Sequence, residues 1–415
     1  MITWTLSKLY IFTLQNPPRT ITNMSSSSDN QKTSVVLITN MIPPYRMPFF
    51  KGLGERFKFL LAVDCVTEKG RNWKLDDPDL GFEYVVLNGA SLNLKRKRDD
   101  VGYAEERPFH FSTKCFSLLK KHDPDVVVSC EFGLKTIWSI LYCKLYGKKL
   151  LVWSEGTMHT EGKTTRMRKI LRPLLVKAID GFWTNGPESR ALIESYGGKP
   201  ESIQEGMTGV DTTWWLSEGQ KLRAEREQIR AAIGAKGLTF VFNGSLSPRK
   251  GIKQLMDAFS NWEPDQKCTI ILLGSGELEE ETKKWAAERK NYTVIMPGFL
   301  DPKELPRYLV ASDWAILPTL DDNWPLATLE VLVCGLPQLF SVYNGATTDL
   351  CIDGVTGHAF DPMDPKSFVE AIDRAAKEGC REIPQSEIER LSQFYSPAKQ
   401  TERAVESVQS LLSVR

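Results

Sequence analysis

Short apolar runs alternate with helical segments along most of the chain, and this alternation constrains the fold more than any other feature. Before residue 210, apolar runs rich in β-branched residues occupy 34–38, 57–63, 83–87, 123–130, 148–153 and 181–184. Helical patterns separate several of them, as in Leu134–Tyr146. Strands that are apolar throughout and alternate with helices indicate a parallel sheet that is covered on both faces.

A second series of the same kind follows, with short apolar runs at 238–243, 267–273, 292–296, 313–317 and 337–341. Each run precedes a loop that contains Gly, Pro or Asn. The chain has 415 residues, enough for two full cores. The sequence therefore predicts an α/β fold of two Rossmann-like, doubly wound domains that face a ligand cleft at the carboxyl ends of their sheets.

Composition sets the expected domain boundaries. We predict a disordered tail over 1–33, a first domain over 34–210, a linker region over 211–236, a second domain over 237–396 and a C-terminal helix over 397–415. The tail ends in a serine run, and the linker contains the very polar stretch Glu218–Arg230. The last helix is amphipathic, with packing against the first domain as the hypothesis. For residues 1–23, a targeting peptide and a true start at Met24 remain open alternatives.

Charge and cysteine usage exclude several classes of protein. The net charge is +1, so composition implies no bulk attraction to nucleic acid. The eight cysteines include no CxxC pair, as is typical of reduced core cysteines in a cytosolic protein. No apolar run approaches the roughly 18 residues that a membrane span requires. We therefore expect a cytoplasmic protein.

Three charged segments have alternative interpretations. The basic run Lys95–Arg98 is expected in a solvated loop, and the acidic run Asp76–Asp79 is expected at the surface rather than at a metal. Residues 164–178 combine apolar residues at helical spacing with many basic ones. This pattern fits a surface helix packed on its sheet. It also fits a basic face that meets an anionic acceptor or a lipid surface, and thus peripheral membrane contact.

The stretch from Asp321 to Pro337 has the pattern of a loop, a helix and a stop. Pro325 suits a first helical turn, and Gly335 followed by Pro337 suits a helix end. Glu330 stands among apolar residues, where a carboxylate is costly unless it is paired or hydrogen-bonded. Asp322 lies eight positions before it, and the helix N-terminus between the two acids suits a phosphate.

Two glycine-bearing loops follow strands of the second series. Residues 243–251 contain Gly244, Ser245 and the adjacent cations Arg249 and Lys250, which can grip a diphosphate. Residues 274–277 read Gly-Ser-Gly-Glu and do not complete a GxGxxG motif. A two-domain Rossmann oxidoreductase is therefore disfavoured.

The order of these motifs resembles that of glycosyltransferase family 4, the retaining nucleotide-sugar glycosyltransferases of GT-B fold. The resemblance covers most of residues 208–360 and fits the first half only in outline. Its elements, in order, are Thr208–Asp211, Gly244 to Gly251, Gly274–Gly276, Gly298, Pro318–Thr319, the pair Asp322 and Glu330, Gly335–Pro337 and Asp353–Gly357.

The resemblance implies roles for individual residues. Glu330 would hold the ribose hydroxyls, Asp322 would contact the donor sugar, and Arg249 with Lys250 would bind the diphosphate and stabilise the leaving phosphate. Further implied contacts to the nucleotide sugar are the N–H groups near Leu326 and Ala327, the base pocket at Gly276, and Gly244, Ser245 and Pro318.

Some positions depart from the family pattern. The family usually has Glu at the position of Asp322, and commonly Arg at the position of Ser245; Arg249 is a candidate to compensate. In the first domain the family often carries a His that faces the sugar. Glu155 and His159 both occur at about that place, and the choice between them is open.

The predicted function is metal-independent transfer of a sugar, with retained anomeric configuration, from a nucleotide-diphosphate sugar to a hydroxyl of a glycan, glycolipid or other acceptor. Polysaccharide biosynthesis is the setting that the family habit suggests. We expect no cofactor besides the donor substrate and no nucleic-acid partner. The alternative is a nucleotide-sugar-binding protein with little or no transferase activity.

Overall fold

The computed structural model describes residues 2–10, 32–66, 80–87, 89–161 and 166–413. They form two compact units. The first spans Met1–Arg98, Glu105–Gly209 and Pro397–Arg415, and the second spans Asp99–Ala104 and Val210–Ser396. The acidic run Asp76–Asp79 lies outside the described residues, so its predicted surface position stays a prediction.

The first unit is built on a seven-stranded parallel sheet. Its strands are β2 (Ser34–Thr39), β3 (Lys58–Val63), β4 (Glu83–Val86), β7 (Val126–Cys130), β8 (Lys149–Ser154), β9 (Gly181–Thr184) and β10 (Ile203–Gln204). Their order is β10-β9-β8-β7-β2-β3-β4. Each apolar run predicted before residue 210 overlaps one of these strands.

Seven helices belong to the described part of the first unit: α1 (Met47–Arg56), α2 (Cys115–His122), α3 (Leu134–Tyr146), α4 (Met158–Glu161), α5 (Arg166–Val176), α6 (Pro187–Ser195) and α16 (Pro397–Ser413). One core contains Phe50 of α1 and Val408 of α16. The other contains Tyr142 of α3 and Val176 of α5. The C-terminal helix α16 is thus part of the first unit and packs against α1.

A second, three-stranded sheet in this unit differs from two expectations. It consists of β1 (Ile2–Tyr10), β5 (Ala90–Arg98) and β6 (Tyr103–Phe111), in the order β1-β5-β6. Residues 2–10 were expected in a disordered tail, but they pair antiparallel with β5. Several of the first ten residues are β-branched or aromatic, a composition that favours strands. Residues 11–31 of the predicted tail lie outside the described residues.

The basic run Lys95–Arg98 forms the end of β5 rather than a solvated loop. Arg96 and Arg98 are buried, whereas Lys95 and Lys97 are exposed. Alternate side chains of a strand point to opposite faces, so every second cation enters the protein. The Arg96 guanidinium donates to the Thr160 carbonyl at 2.8 Å, which offsets part of its desolvation.

The second unit contains a six-stranded parallel sheet in the order β13-β12-β11-β14-β15-β16. The strands are β11 (Leu238–Asn243), β12 (Cys268–Leu273), β13 (Tyr292–Gly298), β14 (Trp314–Leu317), β15 (Gln338–Ser341) and β16 (Gly357–Phe360). The first five of these strands overlap the apolar runs of the second predicted series. Consecutive residues such as Phe240 and Val241 contribute to separate cores on the two sheet faces.

Nine helices cover this sheet: α7 (Thr212–Arg223), α8 (Arg226–Ile233), α9 (Ile252–Asn261), α10 (Glu279–Ala287), α11 (Leu305–Val310), α12 (Leu326–Val333), α13 (Thr347–Leu350), α14 (Pro365–Glu378) and α15 (Gln385–Phe394). Two parallel α/β domains of Rossmann type are therefore confirmed. No helix within the described ranges combines the length and apolarity needed to cross a bilayer.

Residues 211–236, expected as a linker, form α7 and α8 of the second unit. Trp215 and Ile229 are buried, and Arg226 makes an ion pair with Asp313 at 2.5 Å. The polar residues that suggested a linker lie mainly on the outward faces of these helices. A few buried residues at helical spacing suffice to dock such a segment.

Candidate functional site

The second sheet reverses its strand order beside β11, which lies between β12 and β14. At such a reversal the loops after two adjacent strands diverge and leave a crevice at the carboxyl end of the sheet. The loop after β11 contains Arg249 and Lys250, and the loop after β14 contains Asp322. The topology thus brings Lys250 and Asp322, 72 positions apart, to the same edge.

Arg249 and Lys250 end a short 3₁₀ turn, Pro248–Lys250, which is docked on the loop after β14. The Leu320 N–H donates to the Arg249 carbonyl at 2.8 Å. Gly251 follows with φ of 74°, and a Cβ there would lie 1.9 Å from the Pro318 carbonyl oxygen. Only glycine allows this approach, so Gly251 and the buried Pro318 position the two cations.

Both cations contact the same carboxylate oxygen. Oδ2 of Asp322 lies 3.1 Å from Nη1 of Arg249 and 2.5 Å from Nζ of Lys250. Burial raises the pKa of Asp322, but the two positive charges and their hydrogen bonds outweigh burial and hold that pKa at about 2. Asp322 is therefore ionised at neutral pH, and one negative charge faces two positive ones.

The loop after β15 holds the backbone of Asp322 in place. The Gly345 N–H donates to the Asp322 carbonyl at 3.0 Å, and Asn344 forms an isolated parallel bridge with Asp322. The Asn344 side-chain amide also donates to the Thr328 hydroxyl of α12 at 3.0 Å. This loop therefore ties the acidic residue to the helix that follows it.

Helix α12 begins at Leu326, with Pro325 as its N-cap residue and no side-chain cap. Asp322 and Asn323, whose residue types often cap helices, therefore do not cap this one. The helix ends as predicted: Gly335 has φ of 78°, and the N–H groups of Gly335 and Leu336 donate to Leu332 and Val331 in a Schellman arrangement.

A small, shallow pocket lies at the start of this helix. Its lining includes Lys250, Asn243, Thr319, Pro325 and Ala327. One ammonium group thus shares a pocket with the N-terminus of α12, where backbone N–H groups and the helix dipole favour an anion. The sequence predicted this combination, but not the participation of Asn243.

Glu330 lies on α12, partly buried, and accepts a hydrogen bond from the Asn243 side chain at 3.4 Å. Burial raises the pKa of Glu330 to about 7. The predicted cost of a carboxylate in an apolar helix is therefore present in the structure, and Asn243 is the side chain that offsets part of it.

The glycines of the first two loops allow close backbone packing. A Cβ on Gly276 would lie 2.4 Å from the Leu246 carbonyl oxygen, and the Leu246 N–H donates to the Ser275 carbonyl at 3.0 Å. Gly244 packs over the Phe242 ring, and Ser245 is exposed. The structure thus explains Gly276 by backbone packing, and its predicted contact with a base stays a prediction.

Glu155 and His159, the two candidates in the first predicted domain, both lie in the first unit. The Glu155 carboxylate pairs with Arg46, whose guanidinium also lies 4.2 Å from the Trp153 ring centroid. The Glu155 N–H donates to the Glu131 carboxylate at 2.9 Å. Burial and the nearby Glu155 charge raise the pKa of Glu131 to about 7.

Glu131 was missed by the sequence reasoning. It follows β7 directly, as Glu155 follows β8, and these strands are adjacent in the sheet. Its φ of 62° is unusual for a residue with a side chain and costs about 1–3 kcal/mol. An acidic residue directly after each of two neighbouring buried strands was the signal in the sequence.

His159 lies on the short helix α4, where its Nε2 is 3.2 Å from an Arg98 nitrogen. A guanidinium only donates, so Nε2 is the acceptor in this hydrogen bond. Arg98 is a further functional candidate that the sequence does not predict, because the basic run is typical of a solvated loop. Period-two alternation of Lys and Arg would have indicated a half-buried strand.

Comparison with known proteins finds a matching family model and distant relatives. Residues 225–393 match the family model of glycosyl transferases group 1. A D-inositol 3-phosphate glycosyltransferase of Acidothermus cellulolyticus is 29% identical over 219 residues, which are 50% of this chain and 48% of that protein. A mannosylfructose-phosphate synthase of Agrobacterium fabrum is 25% identical over 167 residues, which are 37% of this chain and 36% of that protein. The chain thus spans about half or less of the length of these relatives.

Solved structures share the fold over most of the chain. Anabaena HepE in complex with UDP has a TM-score of 0.68 at 16% identity, with coverage of 91% of this chain and 100% of that chain. Sucrose-phosphate synthase from Thermosynechococcus elongatus has a TM-score of 0.66 at 13% identity, with coverage of 92% and 100%. The family model, the sequence relatives and the shared fold together confirm the resemblance to the glycosyltransferases of family 4 type, of GT-B fold, that the motifs predict.

Proposed function

We propose that the protein transfers a sugar from a nucleotide-diphosphate sugar to an acceptor hydroxyl, with retention of anomeric configuration and without a metal ion. The observation that carries the proposal is the cluster of Arg249, Lys250 and Asp322 beside the start of α12. The relatives named as glycosyltransferases and the UDP-bound Anabaena neighbour support this choice of chemistry.

Cleavage of a sugar–phosphate bond leaves negative charge on the departing diphosphate. In our proposal Arg249, Lys250 and the N–H groups of Leu326 and Ala327 stabilise that charge. The Asp322 ion pairs and the docking of Arg249 on Leu320 hold both cations in place before the donor arrives. Such preorganised charges lower the barrier because they need no rearrangement as the bond breaks.

Recognition of the donor is divided among three parts of the site in this proposal. Glu330, as the carboxylate, accepts hydrogen bonds from the ribose hydroxyls, with Asn243 beside it. Asp322 uses Oδ2 for the two cations and offers Oδ1 to the sugar. Gly276, with Gly244 and the exposed Ser245, forms the wall near the base.

The first unit supplies the acceptor side in our proposal. Glu155 and His159 both remain candidates for the residue that faces the sugar. Glu155 is paired with Arg46, and His159 accepts from Arg98, so each is held in one orientation. The acceptor is a hydroxyl of a glycan or glycolipid. In a retaining transfer the leaving phosphate itself accepts the proton of that hydroxyl.

The test is a turnover assay with isotopically labelled nucleotide sugars and simple sugar acceptors, in the presence of EDTA, with the product anomer resolved by NMR. We expect transfer with the anomeric configuration of the donor retained. An inverted product would exclude the retaining mechanism, and complete inhibition by EDTA would exclude metal independence.

The alternative, a nucleotide-sugar-binding protein with little transfer, is favoured by two departures from the family pattern. Asp322 is one methylene shorter than Glu, and Ser245 replaces a cation. Calorimetry and turnover on the same samples separate the two functions. Tight donor binding without transfer across the panel favours the binding protein, whereas turnover that falls in Lys250→Ala favours the transferase.

A further inference from the structure

Exposed apolar side chains are concentrated on α3 and α5 of the first unit. Within the described part of the chain, ten of the sixteen exposed large hydrophobic residues lie between residues 134 and 174. On α5 the exposed fractions are 67% for Met167, 66% for Ile170, 46% for Leu171 and 58% for Leu174. A patch of this kind marks an interaction surface more often than an ordinary solvated face.

The two helices lie on the same face of the seven-stranded sheet. Tyr142 and Cys143 of α3 and Val176 of α5 contribute to one core cluster with Val127 and Val152 of the strands. The exposed residues of α3, on the opposite side of that helix, are Leu134, Ile137, Leu141, Leu145 and Tyr146. The two outward stripes therefore belong to one surface of this unit.

Helix α5 packs on the sheet, and its orientation is fixed by a buried arginine rather than by its apolar stripe. Arg172 is 7% exposed, donates to Glu161 at 2.7 Å and lies 5.2 Å from the Phe132 ring centroid. Turning the apolar stripe inward would expose Val176 and break this ion pair. The stripe thus stays available to a partner.

Charge indicates what kind of partner fits. Residues 163–177 contain six Lys or Arg and no Asp or Glu, and Lys169 and Lys177 are exposed. Residues 134–149 contain four Lys and no acidic residue; Lys144 is exposed, whereas Lys135 is buried against Asp64. In a two-fold contact between copies of the chain, this surface would meet its own positive charge, which opposes association. An anionic lipid surface complements both the charge and the apolar stripe.

We propose that the outer faces of α3 and α5 bind an anionic lipid bilayer, with the apolar side chains at the boundary between headgroups and acyl chains and the basic ones against lipid phosphates. This surface lies outside the residues assigned to the donor. The inference therefore does not depend on the proposed transferase function.

The test is co-sedimentation of the full chain with vesicles of phosphatidylcholine alone or mixed with phosphatidylglycerol. We expect binding to the mixed vesicles that weakens at high salt. The variant Ile170→Glu/Leu174→Glu is expected to lose at least about tenfold in affinity, because two apolar groups no longer leave water. Lys169→Glu is expected to lose roughly fivefold or more.

Leu412→Glu is the matched control, because Leu412 is an exposed apolar residue on α16 of the same unit. It is expected to bind as the wild type does, and circular dichroism verifies that all variants are folded. Absence of binding to the mixed vesicles, equal binding to neutral vesicles, or unchanged binding by the double variant overturns the proposal. So does a wild-type dimer, detected by light scattering, that the double variant abolishes.

Discussion

Lys250 combines three properties that suit a diphosphate contact: its ammonium group is partly buried, is held by Asp322, and lines the pocket at the start of α12. We predict that Lys250→Ala weakens binding of UDP or a related diphosphate by about 10- to 100-fold. Charge-assisted hydrogen bonds are worth about 1.5–3 kcal/mol. Isothermal titration calorimetry measures the effect.

Lys253 provides the control for this prediction. It is the second residue of α9, is exposed, and makes a 3.9 Å ion pair with Glu281. Lys253→Ala should leave the affinity within about twofold, because exposed ion pairs contribute little. Equal losses in the two variants would show that only general positive charge matters.

Glu330 makes stability depend on pH. Its pKa is raised by burial from 4.5 to about 7, so between these pH values the folded carboxyl keeps a proton that the unfolded chain has released. Stability therefore falls as pH rises through this interval, by about 3 kcal/mol. The side chain of the Glu330→Gln variant cannot titrate. We therefore predict that the free energy of unfolding of this variant, relative to that of wild type, increases by about 3 kcal/mol between pH 4.5 and pH 8.

Urea unfolding across this pH range measures the difference between Glu330→Gln and wild type. Glu201→Gln serves as the control, because Glu201 is exposed, and its curve should run parallel to that of wild type. The same Glu330 variant should bind nucleotide more weakly, since an amide is a poorer acceptor for ribose hydroxyls. If the difference in unfolding free energy between Glu330→Gln and wild type does not change with pH, the raised pKa of Glu330 is contradicted.

At the scale of elements, the turn after β11 depends on the conformation and the missing side chain of Gly251. We predict that Gly251→Ala destabilises the protein by more than about 1 kcal/mol, because alanine is strained at φ of 74° and its Cβ would meet the Pro318 carbonyl at 1.9 Å. Gly234→Ala is the control that measures backbone strain without a steric clash, because Gly234 has φ of 78° and no atom lies within 4 Å of a Cβ there.

Chemical denaturation of both glycine variants gives the two free energies. Gly251→Ala should be clearly less stable than Gly234→Ala and should also bind diphosphate more weakly, because Arg249 and Lys250 move with the turn. If the two variants lose equal stability and both bind normally, close packing against Pro318 does not position the cations.

The elements differ in how well their sequences predict them. Most strands of the two parallel sheets are buried, so they appear as apolar runs, and each predicted run overlaps a strand. Strand β5 ends in consecutive Lys and Arg residues, a pattern that is typical of a solvated loop. In the structure Arg96 and Arg98 are nevertheless buried. Helix α5 has the expected periodicity, but periodicity cannot say which of its two faces is covered.

At the scale of the whole molecule, donor binding should stabilise the folded chain. We predict that nucleotide-diphosphate sugars raise the melting temperature by a few degrees at concentrations well above Kd, whereas nucleoside monophosphates have a smaller effect. A ligand at 100 times its Kd contributes about 2.7 kcal/mol. A thermal-shift screen over nucleotides measures this, and a donor class that gives no larger shift than its monophosphate is not recognised through the diphosphate.

The sequence alone determined the two parallel α/β domains, the resemblance to family 4 glycosyltransferases, and the identity of the cation turn and the acidic pair. These depend on local patterns: apolar runs, glycines in turns and the spacing of charged residues. Only the tertiary structure decided that Asp322 pairs with both Arg249 and Lys250, that Asn243 meets Glu330, and that α5 buries Arg172 and exposes its apolar stripe. Pairing and burial depend on which distant segments meet, and a linear pattern carries no such information.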